Sequence, residues 1–216
     1  MDAITIQILR NKISSLVDEM HYHFYRSGYS TIIRESRDFS CVILDRNGRL
    51  IVAPPMFFHA PVYRYLVENV REVYGSAGAI RAGDVFVSNH PYEGGLPHVS
   101  DMAFVAPVFA DGRLVAFAGS IAHKADVGGA VAGSTSANAT EMYHEGILIP
   151  PVKIWDVGNF LPDVERIILT NSRQPELVRG DMRAQIAVTR MGVARVQELF
   201  DPARNSAAVK AVTTFC

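Results

Sequence analysis

His98-Val99-Ser100-Asp101-Met102-Ala103-Phe104-Val105-Ala106-Pro107-Val108-Phe109-Ala110-Asp111-Gly112-Arg113-Leu114-Val115-Ala116-Phe117-Ala118-Gly119-Ser120-Ile121-Ala122-His123 is the stretch on which the fold turns. Two apolar runs, Met102–Phe109 and Leu114–Ala122, flank Ala110-Asp111-Gly112-Arg113. Asp-Gly between such runs is a hairpin signal, because both residues tolerate the left-handed backbone of a tight turn. An antiparallel hairpin brings its two outer ends together. His98 and Asp101, at the start of one strand, can therefore meet His123, at the end of the other, without any long-range assumption. Two imidazoles and one carboxylate can bind one face of Mn²⁺, Fe²⁺ or Zn²⁺ and leave positions open for water and substrate. That is a hydrolytic or Lewis-acid site in outline. His-x-x-Asp alone is common by chance, and the hairpin geometry adds modestly to it.

Moving outward, Asp84–Asn89 reads as another strand, entered through Gly83. The joining segments are unusual. Residues 89–101 are polar and rich in Gly and Pro, and the stretch from His123 to about Gly146 is nearly all small or polar. A long irregular segment inside a compact domain is usually functional or disordered. Here it is flanked by strongly apolar strands and carries imidazole and charged groups, so it reads as functional. The two loops hold His90, His98, His123 and His144 with Glu93, Asp101, Asp126, Glu141 and Glu145. Lys124, beside His123, could steady a developing anion, although a lone loop lysine is more commonly a solvated charge.

The first third reads as helix, hairpin, helix. Apolar residues from Ile4 to Phe24 recur at helical spacing over 4–26, with Gly28 as the stop. His21 and His23 leave that helix on different faces and read as surface or boundary residues. Ser40–Leu44 and Arg49–Ala53 flank Asp45-Arg46-Asn47-Gly48, a second hairpin signal. Cys41, inside a buried strand, reads as packing. Glu35-Ser36-Arg37-Asp38 is either a salt-bridged turn or the rim of an active site. Pro54, Pro55 and Pro61 punctuate a loop in which His59 reads as packed, and 62–74 is a helix. The last third is helical over Asp163–Asn171 and Pro175–Phe200, with Pro175 near the start of the longer helix. Arg179, Arg183 and Arg190 share roughly one face of it. That face is either solvated and paired with Asp181 and Glu198, or a partner surface.

Composition bounds the answer. The chain has 216 residues, with 21 basic and 22 acidic side chains and a net charge of −1. That balance speaks against nucleic acid as the main partner. A hydrophobic fraction of 49% allows a sizeable core. No apolar run reaches about 18 residues, so no membrane-spanning helix is expected. With Asp2, Arg10, Lys12, Asp18 and Glu19 among the first 25 residues, no secretory signal is expected there. With only Cys41 and Cys216, a disulfide framework or Cys-ligated zinc is ruled out and a cytoplasmic location is expected. Gly128 to Gly133 has phosphate-loop spacing, but Ser134 stands where the essential Lys belongs. His144-Glu145 opens like a zinc-protease helix, but Leu148 replaces the second His. No Gly-x-Ser-x-Gly elbow is present.

These motifs resemble a known family: the B subunit of ATP-dependent hydantoinases, the matching region of 5-oxoprolinase, and the alpha subunit of acetone and acetophenone carboxylases. The stretches that carry the resemblance are Arg37-Asp38-Phe39-Ser40-Cys41; Gly83-Asp84-Val85-Phe86 into Asn89-His90-Pro91-Tyr92 and Gly94-Gly95; His98-x-x-Asp101; and Ala122 through Gly129. They continue with Gly133-Ser134, Ala139-Thr140-Glu141, His144-Glu145-Gly146, Ile149 through Lys153, Asn171, Arg173, Glu176 and Gly180 through Gln185. The resemblance covers nearly the whole chain. His90 stands where many members carry Asp, and Lys124 where many carry His, which bears on substrate choice more than on metal binding. Members run to well over twice this length, so the chain is expected to be an N-terminal piece or a split subunit.

The resemblance implies a divalent metal on His98, Asp101 and His123, and a separate hydantoinase A-type ATPase that phosphorylates a carbonyl oxygen. The expected function is therefore the B-type half of a cyclic-amide hydrolase that opens a hydantoin or 5-oxoproline ring. ATP is spent on the partner, the metal lowers the pKa of bound water, and Asp126, Glu141 or Glu145 carries the proton. Lys124 would steady phosphate or carboxylate charge. Ketone carboxylation is the alternative within the family, and a non-catalytic fragment that docks the partner is the alternative outside enzymology. The expected fold is α+β: antiparallel hairpins with long functional loops, flanked by N-terminal and C-terminal helices. Its parts are a lead-in over 1–75, the metal-site hairpin and loops over 76–155, and a helical segment over 156–216.

Overall fold

The computed structural model describes residues 3–52, 60–75, 78–133 and 136–200. His59, Ser134, Cys216 and the helical reading beyond Phe200 lie outside the described residues. The architecture is α+β. Helix α1 (Ala3–Ser27) leads into a π-helical turn (Ile32–Ser36) and strand β1 (Phe39–Asp45). Helix α2 (Ala60–Gly75), β2 (Val85–Ser88), β3 (Asp101–Ala110) and β4 (Arg113–His123) follow. After a 3₁₀ turn (Met142–His144) come β5 (Val152–Asp156), β6 (Asn159–Phe160), α3 (Pro162–Thr170) and α4 (Pro175–Phe200). The six strands form one sheet in the order β1-β4-β3-β2-β5-β6, antiparallel at every junction.

Why β3 and β4 read as unbroken apolar runs is plain from their surroundings. They lie at the middle of the sheet, and side chains alternate between its faces. Met102, Phe104, Ala106, Ala118 and Ala122 pack against α1 and α4, through residues such as Met20, Phe24, Met182 and Ile186. Ala103, Val105, Phe117 and Ile121 point the other way, against Val62, Tyr63, Leu66, Val67 and Val70 of α2. With both faces covered, no polar alternation survives in the sequence. The β3–β4 turn is the expected one, with Asp111 at φ 48° and Gly112 at φ 73°.

The Asn47-Gly48 hairpin is shorter than its sequence reads. Asp45 N–H donates to Arg49 O (2.8 Å), Ile51 N–H donates to Ile43 O (3.2 Å), and Leu44 bridges Leu50. There the pairing stops, and the arm expected over Arg49–Ala53 forms no strand among its described residues, Ile51 and Val52 being bends. The main partner of β1 is β4, in register from Phe39↔Ala122 to Asp45↔Ala116. Pro54 and Pro55, next in the sequence, have no N–H with which to extend a ladder.

His21 sits at the boundary, as expected, and has a structural task there. Its Nδ1 lies 2.8 Å from Val17 O, and its Nε2 accepts the Cys41 N–H at 3.2 Å, so it bridges α1 and β1. Burial lowers its pKa, against the Val17 hydrogen bond and Asp18, which suits a neutral ring that donates on one side and accepts on the other. Cys41 is buried in β1, and burial pushes its thiol up, which keeps it unreactive.

The β5–β6 hairpin is absent from the sequence reading. Its turn is Val157-Gly158, with Val157 at φ 48° and Gly158 at φ 82°. A β-branched residue at positive φ is rare and strained. Asp84 compensates: its Oδ1 accepts the Val157 N–H (2.8 Å), and its Oδ2 accepts from Arg81 N (2.8 Å) and pairs with Lys153 Nζ (3.0 Å). Val157→Asn should keep that bond and relieve the strain, raising stability by about 1 kcal/mol. Denaturant unfolding of the two proteins checks this, and an unchanged or lower midpoint would refute it.

The arginines of α4 are also spoken for. Arg179 pairs with Glu176, Arg183 makes a two-pronged contact with Glu165, and Arg190 lies 4.4 Å over the Trp155 ring. Asp181 is not their counter-ion. It is fully buried, and its Oδ1 accepts the Tyr29 and Ser30 N–H groups (2.7 and 3.1 Å).

Candidate metal centre

Asp101 and His123 are the terminal register pair of the β3–β4 ladder. The His123 N–H donates sideways to Asp38 O (3.2 Å), next to β1, while Lys124 N–H donates to Ser100 O (2.8 Å). Asp101/His123 is therefore a non-hydrogen-bonded pair, the kind whose side chains stand closest. His123 Nδ1 lies 3.4 Å from Asp101 Oδ1, and His98 Nε2 lies 3.5 Å from Asp101 Oδ2. The two imidazole rings meet edge to face, with centroids 5.0 Å apart.

Among the described residues, His98, Asp101 and His123 are the group of possible ligands whose donor atoms all lie within 4.8 Å of one another. Ligand atoms about 2.1 Å from a tetrahedral ion stand about 3.4 Å apart; each imidazole is near that distance from a carboxylate oxygen, His123 from Oδ1 and His98 from Oδ2, so a cation on one oxygen would draw the set closer. The fit has a second basis. Asp101 Oδ1 and His123 Nδ1 are buried and have no hydrogen-bond partner. Buried polar atoms left that way call for an explanation, and a shared cation supplies one. The site is graded in exposure: the Asp101 side chain is 2% exposed, His123 17% and His98 43%. It opens to solvent on the His98 side.

The loops are built to hold this arrangement. Asn89, fully buried, donates from Nδ2 to Val99 O (2.9 Å) and Ile147 O (2.8 Å) and accepts the Ile149 N–H at Oδ1 (2.7 Å). It thus ties the loop before β3 to the loop after β4. Glu145 does the same from the other side, its Oε2 accepting the Val99 N–H (3.0 Å) beside His98.

Asp126 is buried within its own loop. It accepts hydrogen bonds from Gly128 N, Gly133 N, Arg173 N and Arg173 Nη1 at 2.9–3.1 Å. Burial acts to raise its pKa, but these bonds outweigh it and hold the carboxyl below its ordinary value. Arg173 also reaches Gly128 O, Gly129 O and Val131 O, so the Asp126–Arg173 pair shapes the glycine-rich turn. Gly129 has φ +81°, and a Cβ there would fall 2.6 Å from His144 O, so only glycine fits. Glu141 is exposed and lies 3.3 Å from His144 Nε2. His90 accepts the Tyr92 and Glu93 N–H groups at Nδ1 and caps its own loop.

Lys124 is no solvated charge. It shares the sheet face of Met102 and Ala122, opposite Asp101 and His123, and is fully buried. Its Nζ donates to Ala122 O (3.0 Å) and to Gln185 Oε1. Burial lowers its pKa to about 8, against the attraction of Asp181, Asp101 and Asp38. Asp38 stands on the other flank, its Oδ2 4.0 Å from His123 Nδ1. It follows Arg37, whose backbone is left-handed at φ 54° and whose guanidinium lies 4.6 Å over the Tyr25 ring.

The sequence reading gives Asn89 and Gln185 no structural task and offers Asp181 as a surface counter-ion, so the buried roles of all three come from the structure. For two of them a signal exists: Asp181, Gln185 and Thr189 recur every four residues on the apolar stripe of α4, and all three are buried. Polar residues at core spacing need internal partners.

The fold and site define a class: an antiparallel sheet carrying, at the open end of its central hairpin, a two-histidine, one-carboxylate cluster between long loops. The chain belongs to the hydantoinase B/oxoprolinase family, whose model matches residues 2–215. It is 32% identical over 202 residues to the 5-oxoprolinase of Dictyostelium discoideum, covering 93% of this chain and 16% of that protein. It is 31% identical over 204 residues to the caprolactamase subunit beta of Pseudomonas jessenii, covering 93% of this chain and 34% of that one. The crystal structure of the ATP-dependent caprolactamase from P. jessenii superposes with a TM-score of 0.82 at 28% identity, over 99% of this chain and 37% of that one. A nucleotide-free acetone carboxylase structure shares the fold, with a TM-score of 0.83 at 19% identity, over 98% of this chain and 28% of that one. The chain thus spans between about a sixth and a third of the length of these curated relatives. No helix among the described residues is long and apolar enough to cross a membrane.

Proposed function

We propose that this chain supplies the divalent-metal site of a B-type subunit in an ATP-dependent cyclic-amide hydrolase, one that opens a hydantoin or 5-oxoproline ring. The observation that carries the reading is the facing of His98, Asp101 and His123, with two buried atoms lacking partners. The names of the relatives supply the substrate class. A cation such as Mn²⁺, Fe²⁺ or Zn²⁺ held there would lower the pKa of a water molecule and polarise the carbonyl group under attack.

The chain's own residues do the rest. His98, on the exposed side, orders the approach of the ring, while Asp101 and His123 hold the buried side of the site. Glu145, tied to Val99 beside His98, is the carboxylate best placed to carry the proton. Asp126 has both oxygens engaged in its loop, and Glu141 faces His144. ATP would be spent by a hydantoinase A-type partner in a hetero-oligomer, as the subunit naming of the caprolactamase relative suggests by analogy. Ketone carboxylation on the same site is the second reading, favoured by the shared fold with acetone carboxylase.

Elemental mass spectrometry on the purified chain should find about one equivalent of divalent metal. A His98→Ala, His123→Ala variant should hold none while keeping its circular-dichroism spectrum. Folded wild type that takes up no Mn²⁺ or Zn²⁺ on titration would sink the reading. With metal bound, an ATP-coupled assay of 5-oxoproline, hydantoin and acetone beside the partner separates hydrolysis from carboxylation.

A further inference from the structure

We infer that Gln185 is a positioning residue for the metal centre: from the opposite face of the sheet, one amide ties together the strand ends that carry Asp101 and His123. The inference rests on the reading that His98, Asp101 and His123 hold a cation.

The need for such a tie follows from the topology. Asp101/His123 is the last pair of the ladder, and both strands leave it for long irregular loops. Terminal pairs open more readily than interior ones. A metal site, by contrast, needs its donor atoms held to a few tenths of an ångström. Gln185 meets that need in a specific way. Its Nε2 donates to Met102 O (3.1 Å), one residue from Asp101. Its Oε1 accepts from Lys124 Nζ, which also donates to Ala122 O (3.0 Å), one residue from His123. Met102 and Ala122 are themselves register partners, immediately inside the ligand pair. The amide therefore grips β3 directly and β4 through Lys124, at the rung beneath the ligands.

Packing alone does not call for a glutamine here. Gln185 is fully buried on the apolar stripe of α4, beside Met182 and Ile186. A methionine would fill much the same volume without any polar group to satisfy. What the amide adds is the link between two carbonyls on neighbouring strands. Thr189, one helical turn further along, supplies an internal comparison. Its Oγ1 lies 2.8 Å from Ser120 Oγ, also buried, but that hydrogen bond reaches β4, further from Asp101 and His123.

The test is a Mn²⁺ titration followed by electron paramagnetic resonance, on wild type, Gln185→Met, Gln185→Glu and Thr189→Val, with thermal melts of each metal-free protein. Gln185→Met should bind Mn²⁺ about 10–100-fold more weakly, the range for residues that orient ligands without touching the metal. Gln185→Glu keeps an acceptor for Lys124 but loses the donor to Met102 O, so its affinity should fall between the two. Thr189→Val should lower the melting temperature yet bind like wild type. Should Gln185→Met fail to fold, Gln185→Glu decides. Wild-type affinity in a folded Gln185 variant overturns the inference, as does an equal loss of affinity in Thr189→Val. Wild type that binds no Mn²⁺ removes the metal reading itself, and the inference with it.

Discussion

Asp101→Asn is expected to abolish metal binding while leaving the metal-free chain at least as stable as before. The carboxylate side chain is 2% exposed, and its Oδ1 has no hydrogen-bond partner. A buried charge without donors costs several kcal/mol in effective desolvation. The nearby imidazoles offset this only in part, since neither reaches hydrogen-bonding geometry with Oδ1. Asparagine has nearly the same shape, carries no charge, and brings an NH₂ group that can donate to His98 or His123. It therefore removes a liability in the stripped protein and removes the only anionic donor of the cluster in the loaded one. Affinity for Mn²⁺ should fall by more than about 100-fold, beyond the range seen when only a supporting residue is lost. Melting of the metal-free variant should occur at the wild-type temperature or higher. A variant that binds metal like wild type, or that loses more than about 2 kcal/mol of stability without metal, would mean that Asp101 is a structural residue.

The opposite balance is expected at Asn89. Its three side-chain hydrogen bonds, to Val99 O, Ile147 O and Ile149 N, are buried and join two loops that are also linked through Glu145 to Val99 N–H and through the Lys124 N–H to Ser100 O. Truncation to alanine leaves two carbonyls and one N–H without their partner, at about 1–3 kcal/mol for each group that water fails to reach. Asn89→Ala should cost about 3–5 kcal/mol in urea unfolding. The amide protons of Val99 and Ile149 should exchange faster, because both loops are released together. Val99 follows His98, so metal affinity should weaken as well. A cost under about 1 kcal/mol, or exchange confined to one loop, would show that the loops are held by other contacts.

These two residues also mark where sequence reasoning succeeds and where it stops. The meeting of Asp101 with His98 and His123 was legible because the β3–β4 hairpin is local: a turn with the right chemistry, two runs long enough to be strands, and two imidazoles and a carboxylate at their outer ends. Asn89 was not, because its partners lie ten and about sixty residues away in segments with no periodicity. The β5 strand was missed for a related reason. It pairs with β2 across the whole metal-site hairpin, and its own turn puts valine where turn rules call for Asn or Gly. The Asn47-Gly48 turn shows the reverse error. The turn forms, but the longer arm of pairing goes to β4, which competes for β1 with an 11-residue strand and a covered face. Lys124 could have been placed by counting. It continues the parity of Ala118, Ser120 and Ala122 toward the helices, so a lysine there must be buried or must end the strand.

The Asp111-Gly112 turn lies at the far end of β3–β4 from Asp101 and His123, yet together with the one-residue register shift at Val108/Phe109 it decides which residues face each other at the open end. Each further residue added to one arm and not absorbed by a bulge, as Val115 is, would slide the opposing strand by one place, and a slide of one reverses the face on which every side chain emerges. His123 would then stand opposite a neighbour of Asp101 rather than Asp101 itself. The hairpin behaves as a ruler: its arms can change composition while they stay apolar, but a change in the length of one needs a matching change in the other or in the bulge. Variation among such chains should therefore accumulate as exchanges of one buried apolar residue for another, with gaps driven out of the arms and into the loops beyond His123.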